Sequence, residues 1–117
     1  MTKNEYNGWF NYETWCVKLW IDNEQSSQEQ WSERAKECLD AAEGTLSANA
    51  RLTGVEPFTD KEKAAFALSK ELKASHEESL PELEGFAADL INAALSEVNW
   101  HEIAMSLLDD VATEATA

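Results

Sequence analysis

Asp and Glu are the residues of this chain whose number and spacing most strongly suggest a functional role. The 117 residues include 23 Asp and Glu against nine Lys and Arg, which gives a formal net charge of −14 at pH 7. Residues 74–117 contain ten acidic residues and no Lys or Arg. Such a field repels nucleic acid and anionic membranes, and it attracts basic protein surfaces, including the clefts in which proteins hold DNA. The composition therefore predicts a positively charged protein partner, with no direct binding to nucleic acid or to a membrane.

The acidic residues form sets whose spacing approaches that of a nucleic-acid backbone. On a helix that rises about 1.5 Å per residue, carboxylates three or four residues apart stand roughly 5 to 6 Å from one another. Phosphates recur about every 3.4 Å along one DNA strand, so the two charge densities agree within a factor of about two. The predicted partner-binding surface comprises Glu77, Glu78, Glu82, Glu84, Asp89, Glu97, Glu102, Asp109 and Asp110. The alternative is an acidic surface that binds no partner and only keeps the protein soluble.

A secondary acidic row lies earlier in the chain, on one face of a predicted helix. Its members are Glu29, Glu33, Glu37, Asp40 and Glu43. Lys36 lies inside this row and can pair with Glu33 or Asp40 at helical spacing, which weakens the imitation of a phosphate backbone. The C-terminal half is therefore the cleaner candidate surface.

Residue types suited to catalysis or metal binding are few and poorly spaced. A metal site in a helical protein needs His or Cys pairs three or four residues apart, and the two histidines and two cysteines form none. Cys16 and Cys38 fall on apolar faces, which predicts buried, reduced thiols, whereas His76 and His101 are predicted at the surface. The four glycines are scattered and build no phosphate-binding loop. The sequence predicts a protein that is not an enzyme and that has no catalytic residues, metal or cofactor.

Aromatic residues are concentrated near the N-terminus, where four of the five tryptophans lie between positions 6 and 31. A small domain gains most by burying its largest rings, so this stretch is predicted to be the centre of the core. Helical spacing places Tyr12, Trp15, Cys16, Leu19 and Trp20 on the inward face of a first helix. Trp9 and Phe10 precede it and are the aromatics most expected at the surface. An alternative function is therefore a small interaction or regulatory module that docks through Trp9 and Phe10.

The elements that position these residues are predicted to be helices throughout. Apolar residues recur with a period near 3.6, no segment alternates with period two, and one domain is expected to span 1–117. The expected class is an all-α bundle of four to five helices, with an N-terminal lead (1–10), a loop-rich segment (44–58) and a frayed tail (113–117). The predicted helix starts are Asn11, the Ser26–Glu29 box, the Thr59–Glu62 box, Ser79–Glu82 with Pro81, and the Asn99–Glu102 box.

Two motifs resemble those of a family of small uncharacterised proteins found in bacteriophages, plasmids and some bacterial chromosomes. The first is Asn7-Gly8-Trp9-Phe10-Asn11-Tyr12-Glu13-Thr14-Trp15, followed by Leu19-Trp20-Ile21-Asp22-Asn23 and Trp31. The second is Ala94-Leu95-Ser96-Glu97-Val98-Asn99-Trp100-His101-Glu102-Ile103-Ala104. The resemblance implies a mobile-element accessory protein, and it transfers no functional residues.

The leading hypothesis joins the acidic charge to this resemblance. It is an inhibitor of the anti-restriction or anti-CRISPR type, possibly a DNA mimic, whose partner is a DNA- or RNA-handling protein of the host. Residues 1–5 are polar and no apolar run follows them, which predicts no signal peptide and a place in the cytoplasm of the bacterial host.

Overall fold

The computed structural model of the protein describes residues 5–43, 52, 54 and 58–116, with the last five described by their backbone alone. Five helices occur in these ranges: α1 (Tyr12–Asn23), α2 (Gln25–Ala42), α3 (Asp60–Glu78), α4 (Gly85–Ser96) and α5 (Trp100–Thr116). No strand is found among the described residues, where the only bridge joins Tyr6 to Trp9. The predicted all-α single domain is confirmed. Most of the predicted 44–58 loop lies outside the described residues, and α5 includes residues 113–116 of the predicted tail.

The core lies between α2, α3 and α5, each of which contacts the other two. Trp31, Ala35 and Cys38 line the buried face of α2, in the i, i+4, i+7 pattern that the sequence predicts. Most of the other large side chains of the core come from α3 and α5, and α1 adds Ile21. Those from α3 and α5 include Leu68, Leu72, Trp100, Ile103, Leu107 and Leu108. The core is therefore centred one helix later in the chain than the tryptophan-rich stretch predicts.

The inward face of α1 is not the one predicted. Its buried residues are Thr14, Lys18 and Ile21, whereas Tyr12 is 52% exposed and Trp20 is 62% exposed. Apolar side chains surround this helix, so its periodicity could not select a face. The face that is buried carries polar contacts, because Thr14 Oγ1 donates to Asn11 Oδ1 and accepts a hydrogen bond from Asn99 N.

Three of the five predicted helix starts are confirmed by their hydrogen bonds, but the Asn99–Glu102 box is only half formed, because Asn99 N donates to Thr14 Oγ1 and not to Glu102. Asn11 Oδ1 accepts a hydrogen bond from Thr14 N at 2.9 Å, and Asn99 Oδ1 accepts one from Glu102 N at 3.1 Å. Thr59 and Glu62 form the complete reciprocal capping box. Such caps satisfy backbone N–H groups that the first turn of a helix leaves without partners.

The predictions that the Ser26–Glu29 and Ser79–Glu82 capping boxes start helices are wrong. Helix α2 begins at Gln25, one residue before Ser26, so that Ser26 lies inside the first turn. Ser79 closes α3 rather than opening α4, since its hydroxyl donates to His76 O at 2.9 Å. The fourth helix then begins at Gly85, after an extended link in which Pro81 is not helical.

Helix α4 differs most from its prediction. The sequence assigns it the strongest apolar periodicity of the chain, yet none of its residues is buried. Phe86 is 80% exposed and Leu90 is 56% exposed, while Ile91 and Leu95 are half-buried. Among the described helices, α4 packs extensively on no other.

Candidate functional site

The end of α3, the link that follows and the start of α4 carry a dense set of exposed carboxylates. We call the set the acidic link surface, and it consists of Glu77, Glu78, Glu82, Glu84 and Asp89. All five are exposed, and none forms an ion pair or side-chain hydrogen bond with another residue in the described part of the chain. The structure therefore leaves this predicted set open to solvent.

The rest of the predicted partner-binding surface, which consists of Glu97, Glu102, Asp109 and Asp110, is divided by the fold. Glu97 and Asp110 are exposed, but Glu102 and Asp109 are engaged within the protein. Glu102 Oε1 accepts a hydrogen bond from Phe10 N at 2.9 Å, and the Asp109 carboxylate pairs with Lys61 on α3. These two carboxylates hold elements together, so we remove them from the candidate surface.

The secondary row on α2 is also partly neutralised. Glu37 pairs with Arg34 at 3.0 Å, and Glu29 accepts a hydrogen bond from Gln25 Nε2 at 2.9 Å. The other members, Glu33, Asp40 and Glu43, are exposed. This row is therefore less uniformly anionic than the acidic link surface.

A polar network joins α2 to α3 beside that row. Arg34 forms a bidentate ion pair with Glu71, in which Nε and Nη2 each lie 2.8 Å from a carboxylate oxygen. The hydrogen bonds from Arg34 hold the pKa of Glu71 below its ordinary value, and the same pairing raises the pKa of Arg34. The residues of this network line a groove of about 420 Å³, and Lys63 and Ala67 are also among its lining residues.

Cys38 lies in this network and is unsuited to nucleophilic chemistry. Its Sγ donates to Glu71 Oε2 at 3.3 Å. Burial, followed by the hydrogen bond to this anion, raises the pKa of Cys38 to about 11. Because the thiolate is the reactive form, a thiol that stays protonated at neutral pH is a poor nucleophile. Cys38 is buried, as predicted, whereas Cys16 is only half-buried.

One of the two histidines is half-buried rather than exposed, contrary to prediction. His76 lies between two tryptophan rings, with centroid distances of 5.9 Å to Trp31 and 5.4 Å to Trp100. Its Nδ1 is 2.7 Å from Leu72 O. The spacing of His76 from Leu72 places it on the buried face of α3, a signal that was available in the sequence. His101 is exposed, as predicted, and its ring lies against Phe66.

The two sequence motifs meet in the fold. Asn11 Nδ2 donates to Glu97 O at 2.6 Å, and Asn99 N donates to Thr14 Oγ1 at 2.9 Å. Together with the hydrogen bond between Phe10 and Glu102, these contacts join the start of α1 to the start of α5. The motif residues at this junction therefore have a structural role.

The two aromatic residues predicted to dock a partner differ in their exposure. Trp9 is half-buried and packs against the core, whereas Phe10 is 55% exposed. The other exposed rings near the N-terminus are Tyr6, Tyr12 and Trp20. An aromatic docking surface would therefore include Phe10 without Trp9, and sequence periodicity assigned Tyr12 and Trp20 to the core.

The described residues include no group of three or more His, Cys, Asp or Glu side chains arranged to hold a metal ion. None of the helices in the same ranges is both long and apolar enough to cross a membrane.

Residues 2–115 match the model of DUF7249, which is described as a family of unknown function. No curated protein and no solved structure matches the chain.

Proposed function

Since the chain belongs to the DUF7249 family, whose function is unknown, we propose its role from its own surface. We propose that it is a non-enzymatic accessory protein of a mobile genetic element. It acts in the bacterial cytoplasm by presenting its acidic surface to a positively charged, nucleic-acid-binding protein of the host. The resemblance to phage and plasmid proteins supports an anti-restriction or anti-CRISPR inhibitor, possibly a DNA mimic.

The acidic link surface is the observation that carries this proposal. Its carboxylates are exposed and have no cationic neighbour along the chain after Lys73. Uncompensated charges of one sign raise the local potential and accelerate encounter with a surface of opposite sign. A cleft lined by Lys and Arg to hold phosphates offers that opposite charge.

The test compares two sets of four neutral substitutions that change the net charge equally. The site variant combines Glu78→Gln, Glu82→Gln, Glu84→Gln and Asp89→Asn. The matched control combines Glu29→Gln, Glu33→Gln, Asp40→Asn and Glu43→Gln on α2. The wild type should retain a nucleic-acid-binding protein from host lysate at about 0.05 M NaCl and release it near 0.5 M, because salt screens exposed charges.

We expect the site variant to lose this capture while the α2 control keeps most of it. Circular dichroism verifies that both variants remain folded, which their exposed positions favour. Equal capture by the wild type and the site variant would remove the acidic link surface from the proposal. Equal loss in both variants would show that net charge acts without a defined site.

A second function is supported by the exposed aromatic rings of the N-terminal region. Phe10, Tyr12 and Trp20 are each more than half exposed, and aromatic residues are enriched where proteins dock. In this alternative the protein is a small interaction or regulatory module. Phe10→Ser should abolish binding through that surface and leave an electrostatic inhibitor intact. Phe10 suits this test better than Trp9, because Trp9 packs against the core.

A further inference from the structure

Helix α4 exposes an apolar face beside the acidic link surface. The residues Phe86, Leu90 and Ala93 are four and three positions apart, and all three are exposed. At 3.6 residues per turn they lie within about 60° of the helix circumference, so they form one stripe along the solvent side. We call this face the outer stripe.

The outer stripe is additional to the face by which α4 meets the rest of the protein. Ala88, Ile91 and Leu95 are half-buried, and Leu95 packs against the core. Apolar residues therefore lie on two sides of α4. An exposed apolar patch commonly marks an interaction site.

Charge surrounds the outer stripe and restricts what can cover it. Glu82 and Glu84 precede the stripe, Asp89 lies beside it, and Glu97 follows it at the end of α4. No Lys or Arg occurs in this part of the chain. A second copy would bring the same carboxylates to the interface, and like charges that face each other oppose association. An anionic membrane surface would be repelled for the same reason.

A partner surface that complements the outer stripe would have apolar residues bordered by Lys or Arg. We propose that the outer stripe of α4 docks a cationic amphipathic helix of the partner protein, with the neighbouring carboxylates pairing its basic flanks. This inference rests on the proposed function and identifies the element of the partner that the acidic link surface meets. Helix α4 has 12 residues, so it offers a contact about 18 Å long, or roughly three turns.

The test separates apolar from electrostatic binding with two synthetic peptides that carry equal charge. One is an amphipathic helix of Leu and Lys, with Leu at i, i+3, i+4 and i+7, and the other is an oligolysine with the same number of Lys. Fluorescence anisotropy gives the affinity of the full-length protein for each peptide. We expect the wild type to bind the Leu/Lys peptide at least ~10-fold more tightly, because only this peptide buries apolar area on the stripe.

The double variant Phe86→Ala, Leu90→Ala removes the stripe and keeps the charge and the helix propensity of α4. We expect it to lose most of the ~10-fold excess while binding oligolysine as the wild type does. Leu52→Ala is the control, because it removes another highly exposed apolar side chain from a position outside α4. It should leave both affinities unchanged.

The other results would each overturn the inference. Equal affinity of the wild type for the two peptides, or an excess that persists in the double variant, would show that the stripe is not the docking face. Either result would leave the acidic surface proposal standing, whereas failure to bind either peptide would contradict both proposals.

Two controls with the protein alone examine other occupants of the stripe. A wild-type dimer in sedimentation equilibrium that becomes monomeric in the double variant would assign the stripe to a second copy. Binding to phosphatidylcholine vesicles that the double variant loses would assign it to a lipid surface.

Discussion

The hydroxyl of Thr14 hydrogen-bonds both within the first motif and across to the second. It donates to Asn11 Oδ1 at 2.6 Å and accepts from Asn99 N at 2.9 Å, and the residue is fully buried. Both hydrogen bonds are lost if the hydroxyl is removed. A buried polar group left without a partner costs about 1–3 kcal/mol. Thr14 is therefore the point at which the cap of α1 and the start of α5 support each other.

Replacing Thr14 by Val preserves the shape and removes the hydroxyl. We expect Thr14→Val to lower the free energy of unfolding by about 1–3 kcal/mol, because Asn99 N and Asn11 Oδ1 each lose a buried partner. Urea denaturation measures the change. Thr14→Ser is the control, since it keeps the hydroxyl and loses only a methyl group. If Thr14→Val were as stable as the wild type, the junction would not be held by this side chain.

Carboxylates that are alike in sequence have different roles at the residue scale. Glu102 and Asp109 are bound within the protein, while Glu82 and Glu84 face solvent. Spacing along the chain cannot separate these roles, because the partners, Phe10 and Lys61, are distant in sequence. Only the carboxylates that pair with no other described residue remain in the candidate site.

At the scale of elements, α2 and α3 are joined by an apolar core and by one charged contact. Arg34 on α2 holds Glu71 on α3, and the pKa of Glu71 is lowered chiefly by the hydrogen bonds from Arg34. A carboxyl group whose pKa is lower in the folded state stabilises the fold above its unfolded pKa, which is about 4.3 for Glu. This contribution is lost as the pH falls through the folded pKa.

We expect Glu71→Gln to be less stable than the wild type at pH 7 and to approach it in acid. The difference should shrink below about pH 4, as the wild-type carboxyl becomes protonated. Thermal unfolding of both proteins between pH 3 and pH 7 tests this, with Glu77→Gln as the control at an exposed position of the same helix. A difference that is constant with pH would mean that the ionised form of Glu71 does not support the contact.

The sequence correctly predicts that α4 is a helix, but it does not predict that the apolar face of this helix is exposed. Its periodicity correctly indicates a helix, because spacing reflects the geometry of one element. Whether its apolar face is buried depends on whether another element covers it. None of the other described helices does so extensively, which makes α4 the centre of the proposed docking surface.

At the scale of the whole molecule, the net charge of −14 opposes the compact state. Like charges repel over about 10 Å at 0.1 M salt, and salt screens this repulsion. The nine Lys and Arg lie before residue 74, so the C-terminal part has no cation of its own along the chain. The acidity that supports the proposed function therefore carries a stability cost.

The melting temperature should rise as NaCl increases from about 0.01 M to 0.2 M, because screening weakens the repulsion. The site variant that neutralises four carboxylates of the acidic link surface should melt higher than the wild type at low salt and show a smaller rise. Scanning calorimetry over this salt range measures both effects. A melting temperature that falls with added NaCl would show that attractive ion pairs outweigh the repulsion.

The sequence by itself determined the helical class, the caps at Asn11, Thr59 and Asn99, and the buried face of α2. These features depend on contacts between residues close in the chain, where spacing and side-chain chemistry suffice. It also determined the acidic composition on which the proposed function rests.

Only the tertiary structure decided which way α1 faces, that His76 lies between Trp31 and Trp100, and that α4 exposes an apolar stripe. It also separated the open carboxylates from those bound within the protein. The physical reason is the same in each case: burial and pairing are set by side chains far apart in sequence, whose distances exist only once the helices have packed.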